Sequence, residues 1–167
     1  SSLRYHACKV KKMIKTIIAD DHNLIRKGFS RLIDRELDME LVGEAQNARE
    51  LLILLKHQSC DVLVLDISLP DKNGLDMLKE IRALYPGIHI LMMSIYPEGL
   101  YALRSLKGGA SGYINKEDSS LELLHAIRKI FSGKHYVSKE LAEKLAIDYV
   151  GDTSAIPHES LTDREFQ

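Results

Sequence analysis

The sequence predicts an α/β fold: a five-stranded parallel sheet wound on both faces by helices, followed by one further helix. Short β-branched apolar runs alternate with stretches of helical periodicity, five of each between Ile14 and Phe131, and that alternation is how parallel strands are joined. One run, Val62-Leu63-Val64-Leu65, has four apolar residues in succession, as in a strand covered on both faces. Length and composition agree. At 167 residues, with 45% hydrophobic and 28% charged residues, the chain suits one domain with appendages and excludes wholesale disorder. No run approaches the ~18 apolar residues of a membrane span. Cys8 and Cys60 lack C-x-x-C spacing and are too few for a disulfide framework. A net charge of -1 argues against the whole chain binding nucleic acid.

Each element has its own signal. Ile14–Ala19 is a β-branched run that stops at Asp20 and Asp21. Leu24, Ile25, Phe29, Leu32, Ile33 and Leu37 recur at steps of three and four, an amphipathic helix for which Asn23 is the expected N-cap. Residues 40–45 read as a second strand, and Asn47 caps a helix reaching about Lys56. Residues 61–66 form the clearest strand. Residues 74–84 carry Leu75, Leu78 and Ile81 at helical spacing and stop before Pro86-Gly87, a turn signal. A fourth strand is expected over 88–93 and a helix over 97–107, with Pro97 in its first turn and Gly108-Gly109 at its end. Residues 111–114 read as a short fifth strand. Asp118 or Ser119 then caps a helix closed by Gly133.

The ends differ from the middle. Residues 1–15 hold Arg4, Lys9, Lys11, Lys12 and Lys15 and no acid, a +5 block that leaves -6 for the rest of a chain at -1. No apolar signal core follows it. Residues 1–12 lack periodicity and are expected to be a disordered or expression-derived extension. Residues 13–133 are expected to be the main domain, and 134–160 a linker containing a helix over 138–149. In 161–167, Thr162 and Glu165 form a capping box, the start of a helix the chain does not complete.

Chemistry is expected where the strands end, because ligands of open parallel sheets sit outside the carboxyl ends of the strands. Asp20 and Asp21 follow strand one, Asp66 ends strand three, Ser94 strand four, and Lys116 follows strand five. Singly, each has a plainer reading: turn former or helix cap, strand-end hydroxyl, solvated lysine. Their joint placement is what the plain readings do not supply. Three carboxylates in one pocket repel and call for a cation, and Mg²⁺ (or Mn²⁺) suits oxygen ligands beside phosphate. An aspartate there is a nucleophile for an acyl phosphate, Lys116 suits a phosphoryl oxygen, and Ser94 suits a hydrogen bond to it.

The motifs Ile18-Ala19-Asp20-Asp21-His22, Leu65-Asp66-Ile67-Ser68-Leu69-Pro70 with Gly74, Met93-Ser94, and Gly109-Ala110-Ser111-Gly112-Tyr113-Ile114-Asn115-Lys116 span most of the chain. On these residues it resembles the receiver domain of bacterial two-component response regulators, of the NarL/FixJ subfamily with a LuxR-type DNA-binding domain. The resemblance implies the doubly wound, flavodoxin/CheY-like strand order 2-1-3-4-5. It implies that Asp66 accepts a phosphoryl group from a sensor histidine kinase, and that Mg²⁺ is held by Asp21, Asp66 and the backbone carbonyl of Ser68, with Asp20 assisting through water. Ser94 and Tyr113 match the family's switch pair; the plainer reading of Tyr113 is an edge-strand tyrosine packed on a helix. A cytoplasmic protein is implied, with a phosphorylation-dependent homodimer, DNA bound only through a C-terminal domain that residues 161–167 open, and no membrane partner. Glu117 stands where many receivers have proline, and Ser94 where many have threonine.

Other classes fit less well. A phosphohydrolase of the haloacid-dehalogenase type needs a second aspartate two residues after the nucleophile, where Ser68 stands. A nucleotide or flavin module would place phosphate against Asp20 and Asp21. An unphosphorylated pseudo-receiver would lack acceptor residues that are present here. Self-phosphorylation through its own Asp66 does not make the chain a turnover enzyme. The seven histidines show no i,i+4 metal spacing and read as surface or packing residues, and Cys60 as buried and inert.

Overall fold

The computed structural model describes residues 12–96, 99–118 and 120–155. Strands β1 (Ile14–Ala19), β2 (Met39–Ala45), β3 (Val62–Asp66), β4 (His89–Ser94) and β5 (Gly112–Asn115) form one sheet. Their order is β2-β1-β3-β4-β5 and every pairing is parallel, as expected. The helices are α1 (Asn23–Asp34), α2 (Ala48–His57), α3 (Gly74–Leu84), α4 (Leu100–Lys107), α5 (Ser120–Phe131) and α6 (Lys139–Ala155).

Alternation divides the core in two. Leu63 and Leu65 of β3 join Ile17, Ile90, Met92 and Tyr113 under α2, α3 and α4. Val62 and Val64 join Ile18, Leu91, Met93 and Ile114 under α1 and α5. So the apolar run that hid strand periodicity still obeys it: each face of the sheet has its own helical cover. The strand ends are thereby held side by side at one edge, which is where the functional residues lie.

Several boundaries moved. Asn23 is the first residue of α1 rather than its cap. His22 holds the cap position without a side-chain hydrogen bond to the helix, because its ring is engaged by Asp20. Leu24 and Leu37, read as part of the apolar stripe, are 82% and 97% exposed; α1 ends at Asp34, so Leu37 lies in the turn beyond it. Helix α4 starts at Leu100, with Gly99 at its cap position in the left-handed region at φ 139°, while Pro97 lies outside the described residues. Helix α6 continues past Tyr149 to Ala155, through residues read as linker. Gly151 and its polar neighbours lower helix propensity by up to about 1 kcal/mol each without removing a hydrogen-bond donor, unlike Pro157 further on. The two terminal segments, with Cys8, His158 and the capping box at Thr162, lie outside the described residues.

Asn47 caps α2 as expected, its Oδ1 accepting from Glu50 N at 2.8 Å. Past α5, the chain returns along the sheet: Tyr136 bridges Gly112, its carbonyl accepting from Tyr113 N at 3.2 Å and its amide donating to Ser111 O at 2.9 Å. Helix α6 then packs on α4 and buries Leu141. Cys60 is half-buried, and its Sγ donates to Val62 O at 3.2 Å.

Gly74 opens α3 where no side chain fits: a Cβ would lie 2.5 Å from Ile67 Cα and 2.6 Å from Asp66 O, both backbone atoms. Gly74→Ala should therefore cost about 2–3 kcal/mol in urea denaturation, and an unchanged midpoint would refute the close approach. Burial, helped by the charge of Asp61, pushes the Cys60 thiol up to about 12. At pH 8 its thiolate fraction is then about 1 in 10,000. Alkylation mapped to the Cys60 peptide should be about a thousandfold slower in the native than in the urea-unfolded chain.

Candidate functional site

Asp20 follows β1, and its amide donates to Ala45 O at 2.9 Å, tying the end of β1 to the end of β2. Its side chain is fully buried. Oδ1 accepts from His22 N at 2.8 Å and lies 2.8 Å from His22 Nδ1. Oδ2 faces Lys116 Nζ at 2.8 Å, off the hydrogen-bonding direction, and no donor satisfies it.

Asp66 ends β3 with 1% of its surface exposed. Its Oδ1 accepts from Ser68 N at 3.0 Å and its Oδ2 from Lys116 Nζ at 3.1 Å. The lysine reaches both aspartates because its backbone is fixed: Lys116 N donates to Ser94 O at 2.8 Å, extending the β4–β5 pairing by one step. Its side chain is only 6% exposed.

One ammonium thus serves two buried carboxylates, with the exposed Asp21 near by. Burial raises the Asp66 pKa above the ordinary carboxylate value, and the neighbouring Asp20 adds to this, while the Ser68 amide and Lys116 oppose it. Burial pulls Lys116 down, but its polar contacts with Asp20 and Asp66 outweigh that and leave its pKa raised. Asp20, Asp21, His22 and Asp66 each offer a ligand atom, all within 4.8 Å of one another. An oxygen-rich donor set with an unsatisfied buried Oδ2 suits a hard divalent cation.

The remaining expected residues stand one layer back. Ser94 is buried, and its Oγ accepts from Tyr96 N at 2.9 Å. Tyr113 is 1% exposed with its ring in the core; its hydroxyl donates to Tyr96 O at 3.0 Å, an atom that also accepts from Asn115 Nδ2 at 3.1 Å. The Tyr96 backbone is therefore a shared anchor for Ser94, Tyr113 and Asn115. Ser68 lies beside Asp66 and bridges Asn73 across the β3–α3 loop.

His22 is exposed, in keeping with the reading of the histidines as surface residues, yet it also lies at the rim of the pocket. Its Nδ1 lies 2.8 Å from Asp20, 3.3 Å from Asp21 and 3.2 Å from Lys116. Its place directly after two aspartates was the available signal, and a search for i,i+4 pairs passes over it.

A doubly wound sheet with this pocket at its carboxyl edge defines a class: residues 16–128 match the response regulator receiver domain, and the chain belongs to that family. Among its relatives is the response regulator GacA of Pseudomonas aeruginosa, 30% identical over 156 residues, a stretch covering 93% of this chain and 73% of GacA. The response regulator UvrY of Escherichia coli is 28% identical over 156 residues, covering 93% and 72%. Among solved structures, a two-component response regulator of the LuxR family from Aurantimonas superposes with a TM-score of 0.75 at 31% identity, covering 83% of this chain and 99% of that one. The chain is thus a receiver domain related to LuxR-family regulators.

Lys116→Met would leave Asp20 and Asp66 buried without a counter-charge, at a cost of about 3 kcal/mol near neutral pH. Loss of the ammonium that opposes burial then raises the folded-state pKa of Asp66 further, and a raised folded pKa means stability that is lost as pH rises. The deficit relative to wild type should therefore grow between pH 5 and pH 8. A deficit independent of pH in parallel denaturation series would contradict this.

Proposed function

We propose that this chain is the phosphoryl-accepting switch of a two-component relay, with Asp66 the acceptor. The observation that carries the reading is the convergence of buried Asp20 and Asp66 on one lysine at the sheet edge. In the transfer, one Asp66 carboxylate oxygen bonds to phosphorus as the P–N bond of a donor phosphohistidine breaks. The imidazole departs, and the acceptor becomes a mixed anhydride.

Asp21, Asp66 and the Ser68 backbone carbonyl would hold Mg²⁺ or Mn²⁺, with Asp20 assisting through water. The unsatisfied Asp20 Oδ2 supports this assignment. A divalent cation there neutralises charge on the phosphoryl oxygens. Lys116 contributes a point charge to the same oxygens and, being nearly buried, is little screened.

Ser94 is the second proposed contact of the added group. To reach it, the hydroxyl turns away from Tyr96 N, its present partner. Because Tyr113 is bonded to the same residue, the rearrangement is felt in the core, and Ser94 with Tyr113 forms the switch. The output follows the family: a phosphorylation-dependent homodimer controls transcription through a C-terminal DNA-binding domain, with a sensor histidine kinase as donor, in the cytoplasm. The domain itself does not contact DNA and turns over no substrate.

Incubation with acetyl phosphate and Mg²⁺ should add a single phosphoryl group, visible by intact mass. The labelled form should sediment as a dimer. Chelation or Asp66→Asn should abolish both changes, and labelling that survives Asp66→Asn unchanged would overturn the assignment.

A further inference from the structure

The β3–α3 loop carries two of the proposed metal contacts, Asp66 at its root and the Ser68 carbonyl one step in. Its base is well secured. Gly74 N donates to Ile67 O at 2.7 Å, Ser68 bridges Asn73, and Leu69 is buried in the core. Its tip, Asp71 and Lys72, is exposed.

From the tip, Lys72 pairs with Glu80 of α3, the helix that the loop itself leads into, and the Asp71 carboxylate reaches across to a separate helix, α2. Oδ1 accepts from Ala48 N at 2.8 Å and Oδ2 from Arg49 N at 3.0 Å, the first two amides of α2. Those amides, Ala48's above all, hold the Asp71 carboxyl below the usual carboxylate range, so it stays ionised and keeps accepting. The other orphan donor of that turn, Glu50 N, is already satisfied locally by Asn47. Helix α2 therefore has a cap of its own, and Asp71 is a second cap supplied from 23 residues away.

The place where it lands matters. Residues 46–48 lead from β2 into α2, and Ala45 O, at the end of β2, accepts from Asp20 N. Asp71 thus joins the loop holding Ser68 to the chain segment that fixes Asp20.

We propose that Asp71 is a positioning residue for the metal site: it braces the Ser68 loop against the α2 terminus and sets the distance between the Ser68 carbonyl and the carboxylates of the pocket. The inference rests on the metal reading given above. Outer supports of this kind are worth tenfold or more in metal affinity.

The test is Mn²⁺ titration of the 167-residue chain, followed by loss of the free-ion EPR signal, in wild type and three variants. Asp71→Ala should weaken Mn²⁺ binding about tenfold. Asp71→Asn removes the charge but keeps an acceptor for Ala48 N, and should stay within about threefold of wild type. Asn47→Ala removes the helix's own cap; it should lower the melting temperature at least as much as Asp71→Ala, yet leave affinity within about twofold. Equal affinity in Asp71→Ala and wild type would overturn the brace. So would an equal loss in Asn47→Ala, which would make the effect one of helix stability, or in Asp71→Asn, which would make it one of charge alone. Absence of Mn²⁺ binding in the wild type would instead overturn the metal reading, and the brace with it.

Discussion

Lys116 is the constraint on which the site depends. Two carboxylates that are almost wholly buried, Asp20 and Asp66, can stay close only because one ammonium lies about 3 Å from both. That ammonium is itself nearly inaccessible, so its position is set by the sheet. The parallel pairing of β1, β3, β4 and β5 aligns four strand ends, and the Lys116 amide is fixed to the end of β4. The two-faced core is needed for the same reason. A sheet covered on one side alone would leave half of these strands wet, and the acids at their ends would have no low-dielectric wall behind them.

The compensation is incomplete. One charge faces two buried carboxylates and the nearby Asp21, and Asp20 Oδ2 has no hydrogen bond. A pocket left with excess negative charge and an unsatisfied oxygen is held less favourably than the rest of the core. Anything that supplies positive charge or reorganises these oxygens is therefore felt by the parts they touch. Those parts are few. Lys116 is bonded to Ser94 O, Ser94 to Tyr96 N, and Tyr96 O to Tyr113, so a short run of bonds connects the pocket with a ring in the core.

The fold was legible because the relevant signals are local. β-branched runs, Asn47 as a cap and Gly133 as a stop each act within a few residues, and alternation does the rest. The site was legible because the sheet geometry says where strand ends meet, so Asp20, Asp66, Ser94 and Lys116 could be read together from distant positions. What escaped depends on contacts between elements. Nothing within a few residues of Asp71 points to the amides of Ala48 and Arg49. His22 looks like any residue entering a helix until the bend after β1 turns its ring toward Asp20. Helix α6, by contrast, runs past its expected end to Ala155, because Gly151 and its polar neighbours lower helix propensity without breaking the backbone hydrogen-bond pattern.

The return of the chain along β5 has one more consequence. An outer strand normally offers a row of free amides and carbonyls onto which a foreign strand can add. Here Ser111 and Tyr113 already spend theirs on Tyr136, and Gly112 is the residue that permits this, since a Cβ there would lie 2.7 Å from Tyr136 O. The rim of the sheet is sealed at this stretch by the chain's own backbone. Growth of the sheet from one molecule into the next is closed off there, and any neighbour that meets this side must be read through side chains rather than through a continuing ladder.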